Sequence, residues 1–357
     1  MIKNSLKNLV IAFLPLIFLQ SFLSATDYER RPLSVVIIGG GPSGLATAIE
    51  AHRRGAQVLI IEKRTEYTRK QVVFLKPASL ELLEKWHVDV PHLMTVPFGE
   101  YGLFGFVQIK YLEEGIQEVV NSLGIVKLQG EFKGFVNNEK MVTIATSDGD
   151  ILLQYDLIVG ADGVHSLIRK NLDIECTCFG TATGSWAFVP FSDLSGEMSV
   201  SPFEKHEDHF IRKITIPSGS ILFWQSYFNS SKHPELLEEP TQAKIAEETH
   251  RLGWEKESKI IEAGHAILSK NIPISLQQAL SFSNKDRDVI LVGDAAASGS
   301  FFHGMGVNTA LKTAKIAGEF FHQFREDYEG AYITFDEEMK KATDELIEVS
   351  RPLLSLE

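Results

Sequence analysis

The sequence predicts an α/β fold: a parallel sheet entered through a glycine-rich strand–turn–helix unit, interrupted by a β-rich domain and closed by C-terminal helices. Three observations lead there. An apolar strand runs into a glycine turn at Gly39 and then a helix, and two further strand–turn units recur at residues 156–169 and 289–308. Between these later units the chain breaks into short β-rich runs separated by Gly, Pro and Ser, from about residue 176 to residue 275. Strands that alternate with helices form parallel sheets, so the outer segments share one domain and the middle makes another. The expected divisions are 32–175 and 276–357 for the first domain and 176–275 for the second, with 1–31 outside the fold.

The first unit reads Ser34-Val-Val-Ile-Ile-Gly39-Gly-Gly41-Pro42-Ser43-Gly44, followed by Val58-Leu-Ile-Ile-Glu62. Gly39 permits the tight turn off the strand, Gly41 lets backbone approach a pyrophosphate, and Gly44 lets helix and strand pack closely. A helix starting near Pro42, with Ser43 in its first turn, aims free N–H groups and a positive dipole end at phosphates. Glu62, about twenty residues on at the tip of the second strand, suits ribose hydroxyls and repels a 2′-phosphate. The unit therefore reads as a holder for the ADP half of FAD or NAD rather than NADP.

Pro77 opens the next helix, with Leu80, Leu83 and Trp86 on one face. Tyr111 to Leu123 is apolar at 112, 116, 119, 120 and 123, a helical stripe. Residues 125–135, 140–145 and 151–159 are strand-like, and Asp148-Gly149 reads as the hairpin turn before the last of them. Runs such as Trp186-Ala-Phe-Val, Phe210-Ile-Arg-Lys-Ile-Thr-Ile and Ile221-Leu-Phe-Trp are expected to form a sheet that roofs a pocket, and Pro240 to Gly253 reads as a connecting helix. The chain returns to the first domain at Val289-Ile-Leu-Val-Gly293-Asp294 and ends in helices over 307–325 and 328–350. In the latter, Tyr332, Phe335, Met339, Ala342, Leu346 and Val349 recur at spacings of three and four, a stripe for packing against the body.

A chain of 357 residues can bury a large core. The net charge of −12 and pI near 5.5 argue against a nucleic-acid partner. Cys176 and Cys178, one residue apart, are expected to be free thiols on a strand near the domain junction, and no His/Cys cluster offers a metal site. Lys3 and Lys7 precede an apolar run over residues 9–23 that ends in Leu23-Ser-Ala25. That pattern describes a signal peptide or membrane anchor, although Pro15 and Gln20 weaken a spanning helix. Export or membrane association through residues 9–23 is expected, with a cytoplasmic location as the alternative.

In Asp156-Leu-Ile-Val-Gly160-Ala-Asp162-Gly163-Val-His165-Ser166-Leu-Ile-Arg169, a buried strand runs into an Asp-Gly turn and a helix. The stretch from Gly293 and Asp294 to His303, Gly304, Gly306, Val307 and Asn308 repeats the design, with glycines baring N–H groups at the mouth of a helix. With three motifs in order over roughly residues 33–330, the chain resembles the single-component flavoprotein monooxygenases of the para-hydroxybenzoate hydroxylase type. The resemblance implies a Rossmann-like, glutathione-reductase-type FAD-binding domain. It implies that Gly39, Gly41, Pro42, Ser43, Gly44, Glu62, Lys63 and Arg64 hold the ADP part and that Asp162 and Gly163 lie at the pyrophosphate. It also implies that Asp294 hydrogen-bonds a ribityl hydroxyl, while Gly304, Gly306, Val307 and Asn308 present N–H groups to the flavin ring, where a helix N-terminus stabilises reduced flavin. NADPH or NADH would dock transiently as reductant, since no second glycine-rich unit exists to hold it. O2 would then supply one oxygen atom to a small apolar or aromatic substrate.

The chain also departs from that family. Members usually carry a histidine and two prolines in the last motif, where this chain has Ala297, Ser300 and Phe301, and His303 replaces a common glycine. His303 is the acid–base candidate nearest the ring, with packing as its other reading. Gln71 stands where many members have an arginine, and residues 62–83 are locally similar to MICAL-type monooxygenase domains, which oxidise a protein methionine. Arg169 is open between a phosphate contact and a surface ion pair. Phe301, Phe302, Trp186, Trp224 and Tyr227 are open between a substrate pocket and core packing. Two other functions stay open on the same motifs: a flavin-dependent reductase of an isoprenoid or lipid substrate, and a flavin-binding module without turnover.

Overall fold

The computed structural model describes residues 31–136, 139–191, 198–202, 204, 205, 209–226, 228, 242–301 and 304–354. The N-terminal segment read as a signal peptide or anchor, and likewise Tyr227, Phe302 and His303, lie outside the described residues.

The fold is entered at Arg31, whose guanidinium donates to both carboxylate oxygens of Asp156 at 2.5 and 2.7 Å. Asp156 also accepts the Ser34 N–H at 2.8 Å. Strand β1 (Ser34–Ile38), helix α1 (Pro42–Arg53) and strand β2 (Gln57–Glu62) follow, and Val35 to Ile38 are buried on both faces, as a central parallel strand requires. Next come β3 (Val72–Leu75), α2 (Pro77–Lys85), β4 (Met94–Pro97) and β5 (Leu103–Gln108), the strands forming a small antiparallel sheet in the order β3-β5-β4. Helix α3 (Ile109–Ser122) leads into β6 (Val126–Gln129), and β7 (Glu131–Phe135), β8 (Met141–Thr146) and β9 (Gly149–Gln154) make a second antiparallel sheet. Strand β10 (Leu157–Gly160) and the short helix α4 (Leu167–Asn171) close this part.

The β-rich region supplies β11 (Cys176–Pro190), β12 (Ser199–Val200), β13 (Glu204–Lys205), β14 (His209–Ile216), β15 (Gly219–Ser226), α5 (Gln242–Arg251), α6 (Glu255–Glu262) and β16 (Ile267–Ala279). The chain then runs through β17 (Ser283–Asn284), β18 (Val289–Leu291) and β19 (Ala297–Ser298) into α7 (Met305–Gln323) and α8 (Tyr328–Ser350). The central sheet has the order β17-β18-β10-β1-β2-β6, so strands far apart in sequence flank β1. The larger sheet is ordered β12-β14-β15-β11-β16-β19, with β13 on β14.

Both C-terminal helices form as expected: Tyr332, Phe335, Met339, Ala342 and Leu346 are buried, with Phe320 of α7 set edge-on to Tyr332 and Phe335 at 5.0 and 5.3 Å. Cys176 and Cys178 are free and lie on β11. Two expectations are corrected. Residues 151–159 are not one strand: β9 folds back on β8, while β10 joins the parallel sheet beside β1. The break falls at Tyr155 and Asp156, where the Asp156 carboxylate is held by Arg31 and Ser34. The hairpin turn is Ser147-Asp148, and Gly149, at φ +119, already begins β9 and pairs with Thr146. Among the described residues no helix is long and apolar enough to cross a membrane, and no cluster of His, Cys, Asp or Glu could hold a metal ion.

Candidate active site

A cleft of about 740 Å³ opens between the central sheet and the larger sheet, within the range of small-molecule and cofactor sites. Its floor is formed where β1, β2, β10 and β18 end, at Ile38, Glu62, Ala161 and Asp294. Carboxyl ends of parallel strands beside a change in strand order are where such sheets bind ligands.

At one end lies the α1 turn. Gly39 sits at φ +111, and a Cβ there would meet the Ala161 carbonyl oxygen at 2.2 Å; one on Gly44 would meet the Gly39 oxygen at 2.0 Å. Those two glycines are required by packing. Gly41 differs, since the nearest atom to a Cβ is Arg64 Nη2 at 3.9 Å, so its face is open to the cleft at the uncapped N-terminus of α1. Glu62 is buried: Oε2 accepts the Gly40 N–H at 2.7 Å and Oε1 accepts the Arg64 N–H at 2.8 Å, with the Arg64 side chain bridging both oxygens. Burial alone would raise the Glu62 pKa, but the hydrogen bonds and charge of Arg64, with the Gly40 amide, hold it below its ordinary value. Pro42, Ser43, Lys63 and Arg64 also line the cleft, as does Arg69, which is ion-paired to the fully buried Glu113.

The second turn brings Asp162 and Gly163 to the cleft. Asp162 Oδ2 accepts the Leu167 and Ile168 N–H groups at 2.6 and 3.2 Å, tying down the start of α4, while its buried Oδ1 has no partner among the described residues. Neither reading of Arg169 holds. The side chain is buried, donating to the Ala295 carbonyl at 2.7 Å and the Val164 carbonyl at 3.0 Å, so it clamps the second turn to the third.

In the third turn, Asp294 projects into the cleft, reachable by solvent there yet walled round by protein. That enclosure pushes its carboxyl above the ordinary value, with Arg69 pulling partly the other way. Gly304, Gly306 and Val307 line the cleft at the N-terminus of α7, which no side chain caps; a Cβ on Gly306 would meet nothing within 4 Å. The Asn308 side chain is turned away from this edge. Its Oδ1 accepts from the Lys76 N–H and Ser79 Oγ at 2.8 and 2.6 Å, and its Nδ2 donates to the carbonyls of Phe74 and Gly304, so the residue is buried beside the cleft and does not line it.

The far end of the cleft is apolar. Trp186, Ile214, Phe223 and Ile274 from the larger sheet, with Met198 and Phe301 beside it, line this end together with Phe74 and Phe104 of the small sheet and the adjoining Phe98. Trp186 and Phe301 thus line the cleft, whereas Trp224 belongs to the core under α5 and α6, on the opposite face of its sheet. Ser300, at one of the family's proline positions, donates to Oε1 of the fully buried Gln225. Sequence reasoning missed Gln225 and Arg212, both on the cleft-side face. Period-two alternation in Phe210-Ile-Arg-Lys-Ile could have placed Arg212 with Phe210 and Ile214.

Two uncapped helix N-termini with open glycine faces, an orphaned Asp162 oxygen and an enclosed acceptor at Asp294 fit FAD. Fold and site together define a dinucleotide-binding flavoprotein. The chain belongs to the FAD-binding-domain family, whose model matches residues 32–90 and 123–323. It is 24% identical to asperlicin C monooxygenase of Petromyces alliaceus, over 80% of this chain and 71% of that one. It is 33% identical to the protein-methionine sulfoxide oxidase mical3b of Danio rerio, over 45% of this chain and 10% of that one. Its fold is similar to that of pqsL, a probable FAD-dependent monooxygenase from Pseudomonas aeruginosa, with a TM-score of 0.70 and 18% identity over 90% of this chain and 96% of that one. The protein is an FAD-dependent oxidoreductase of the flavin monooxygenase class.

Proposed function

We propose that the chain uses NADPH or NADH as reductant and inserts one oxygen atom from O2 into a small apolar or aromatic substrate held between the two sheets. The observation that carries this reading is the continuity of the cleft, from the charged turn at Glu62 to the aromatic chamber at Trp186 and Phe223. Bound FAD supplies hydride acceptance and O2 activation, which no side chain provides. The chain's own residues do the rest. Gly41, Pro42 and Ser43 present the α1 N-terminus to the pyrophosphate, Glu62 accepts from ribose hydroxyls, and Asp294 accepts from a hydroxyl of the linker. The N–H groups of Gly306 and Val307, in the first turn of α7, stabilise negative charge on the reduced ring. The aromatic wall excludes water from the reacting end.

The test mixes the flavin-loaded protein with NADPH or NADH without oxygen, then measures O2 uptake with a library of aromatic and aliphatic ligands. The expected result is bleaching of the oxidised flavin band by at least one nicotinamide, and ligand-stimulated O2 uptake that exceeds peroxide release. A flavin that neither nicotinamide bleaches, or full recovery of electrons as peroxide with every ligand, overturns the reading. We also infer that residues 9–23 direct export or hold the protein at a membrane, on their basic start and apolar run. Fractionation of cells expressing the full chain tests this, and an uncleaved, wholly cytosolic product favours the alternative.

A further inference from the structure

One buried charge has no part in the site as built above. Glu113 lies on α3 between the fully buried Leu112 and Ile116, and is itself fully buried. A carboxylate in such a place is unfavourable unless it is paired. Its partners are two guanidiniums of the cleft wall: Oε1 accepts from Arg69 Nη2 and lies 3.5 Å from Arg64 Nη1. The start of α3 fixes this meeting, because the Ile109 and Lys110 N–H groups donate to the carbonyls of Gln71 and Arg69. Arg64 has a second anchor in Glu62, whereas Glu113 is the one carboxylate paired with Arg69 among the described residues. Arg69 keeps donors to spare, and its enclosed Nε–H meets no acceptor among the described residues.

The charge of Arg69 also reaches Asp294, while its partner Glu113 touches Arg64, the partner of Glu62. Arg69 is thereby set between the ribose end of the cleft and the ribityl end, and the part of FAD that joins those two is its pyrophosphate. We propose that Glu113 is a positioning residue: it holds the Arg69 guanidinium at the cleft wall of the FAD-free protein, ready to donate to the pyrophosphate alongside the α1 N-terminus. Fixing the arginine beforehand spares the ordering of a long side chain when the anion binds. The same carboxylate repels an anion, but across an intervening guanidinium, while its hold on Arg69 is direct contact; the hold therefore dominates. The proposal rests on the cleft being the FAD site.

Isothermal titration of the flavin-stripped full chain with FAD, ADP and adenosine tests it. A wild-type chain that takes up no FAD fails the cofactor reading; the remaining outcomes concern Glu113 alone. Glu113→Leu should weaken FAD and ADP by about tenfold or more, the scale of a charge-assisted hydrogen bond, and leave adenosine within about twofold. Glu113→Gln should lose about threefold for FAD and ADP, since a neutral acceptor holds a guanidinium about half as well. Arg69→Met should lose at least as much as Glu113→Leu, and adding Glu113→Leu to it should cost nothing further. That double variant replaces both partners by apolar groups and leaves no buried charge unpaired. Where Glu113→Leu gives no folded protein, Glu113→Gln decides alone. Unchanged FAD and ADP affinity in Glu113→Leu, an equal loss for adenosine, or a loss that adds to that of Arg69→Met overturns the proposal. Unchanged or tighter ADP binding by Glu113→Gln does so too, because the charge would then repel the cofactor at least as much as its contact serves it.

Discussion

Gly44 and Gly306 both sit at helix starts, but one is filled by protein and the other is left for a ligand. A methyl group on Gly44 would strike the Gly39 carbonyl oxygen at 2.0 Å, while one on Gly306 would meet no protein atom within 4 Å. Gly44→Ala should therefore destabilise the FAD-free protein by about 1–3 kcal/mol, the usual range for overpacking. Gly306→Ala should leave FAD-free stability unchanged or slightly raised, and should weaken FAD binding at least about tenfold, a loss near 1.4 kcal/mol. Denaturant melts of the stripped protein and fluorescence titration with FAD separate the two, and a Gly306→Ala protein that binds FAD normally would remove that position from the site. Asp294 adds a pH-dependent counterpart. Its carboxyl is pushed up by enclosure, so the folded state binds its proton more tightly than the unfolded chain does. That charge destabilises the FAD-free fold at neutral pH, and the penalty fades as pH falls through the raised value toward the ordinary 3.8. Asp294→Asn should thus raise the melting temperature of the FAD-free protein at pH 7 and lose that advantage near pH 4, while weakening FAD binding. A pH-independent difference would show that enclosure of the charge is not the cause.

At the scale of elements, two buried side chains hold the turns in register. Arg169 donates to the carbonyls of Val164 and Ala295, the latter 126 residues away, and Asn308 joins α7 to the β3–α2 connection through Phe74, Lys76 and Ser79. Arg169→Met leaves two enclosed carbonyls without donors and should cost on the order of 3 kcal/mol. It should also loosen FAD, because the Asp162 and Asp294 turns lose their clamp. Equilibrium denaturation read by far-ultraviolet circular dichroism checks the first effect. A stability change within about 0.5 kcal/mol, the size expected of an exposed arginine, would contradict the clamp. These two residues also show what the sequence could and could not reveal. The glycines, Glu62 and Asp294 were legible because their chemistry is local to one strand–turn–helix unit. The roles of Arg169 and the Asn308 side chain were not, because their partners are set by which strands lie beside β1. The split between β9 and β10 was hidden for a related reason: both strands are apolar, and only the distant Arg31 and Ser34 mark the break at Asp156. Trp224 was ambiguous because a strand buried on both faces gives no contrast to show which side meets the cleft.

Across the whole molecule, the central sheet is assembled from segments on either side of the β-rich region, since β18 joins β10 only after the chain has passed through β11 to β16 of the larger sheet and returned. Ile38, Ala161 and Asp294 therefore meet at the cleft from three well-separated stretches of chain. A ligand touching all three stabilises the native state as a unit, by about 2.7 kcal/mol when present at a hundred times its Kd. Hydrogen exchange with and without FAD can read this directly. Slowed exchange should appear together at residues 39–44, at 162–164 and at 304–308, and carry into β1, β10 and β18, because opening any one turn must release the ligand from the others. Strands β12 to β14, at the far edge of the larger sheet, should change least. Slowing confined to residues 39–62, with 293–308 exchanging as fast as in the FAD-free protein, would mean that FAD is held by its adenine end alone. The three turns would then not form one site, and the aromatic chamber beyond Asp294 would lose its connection to the chemistry.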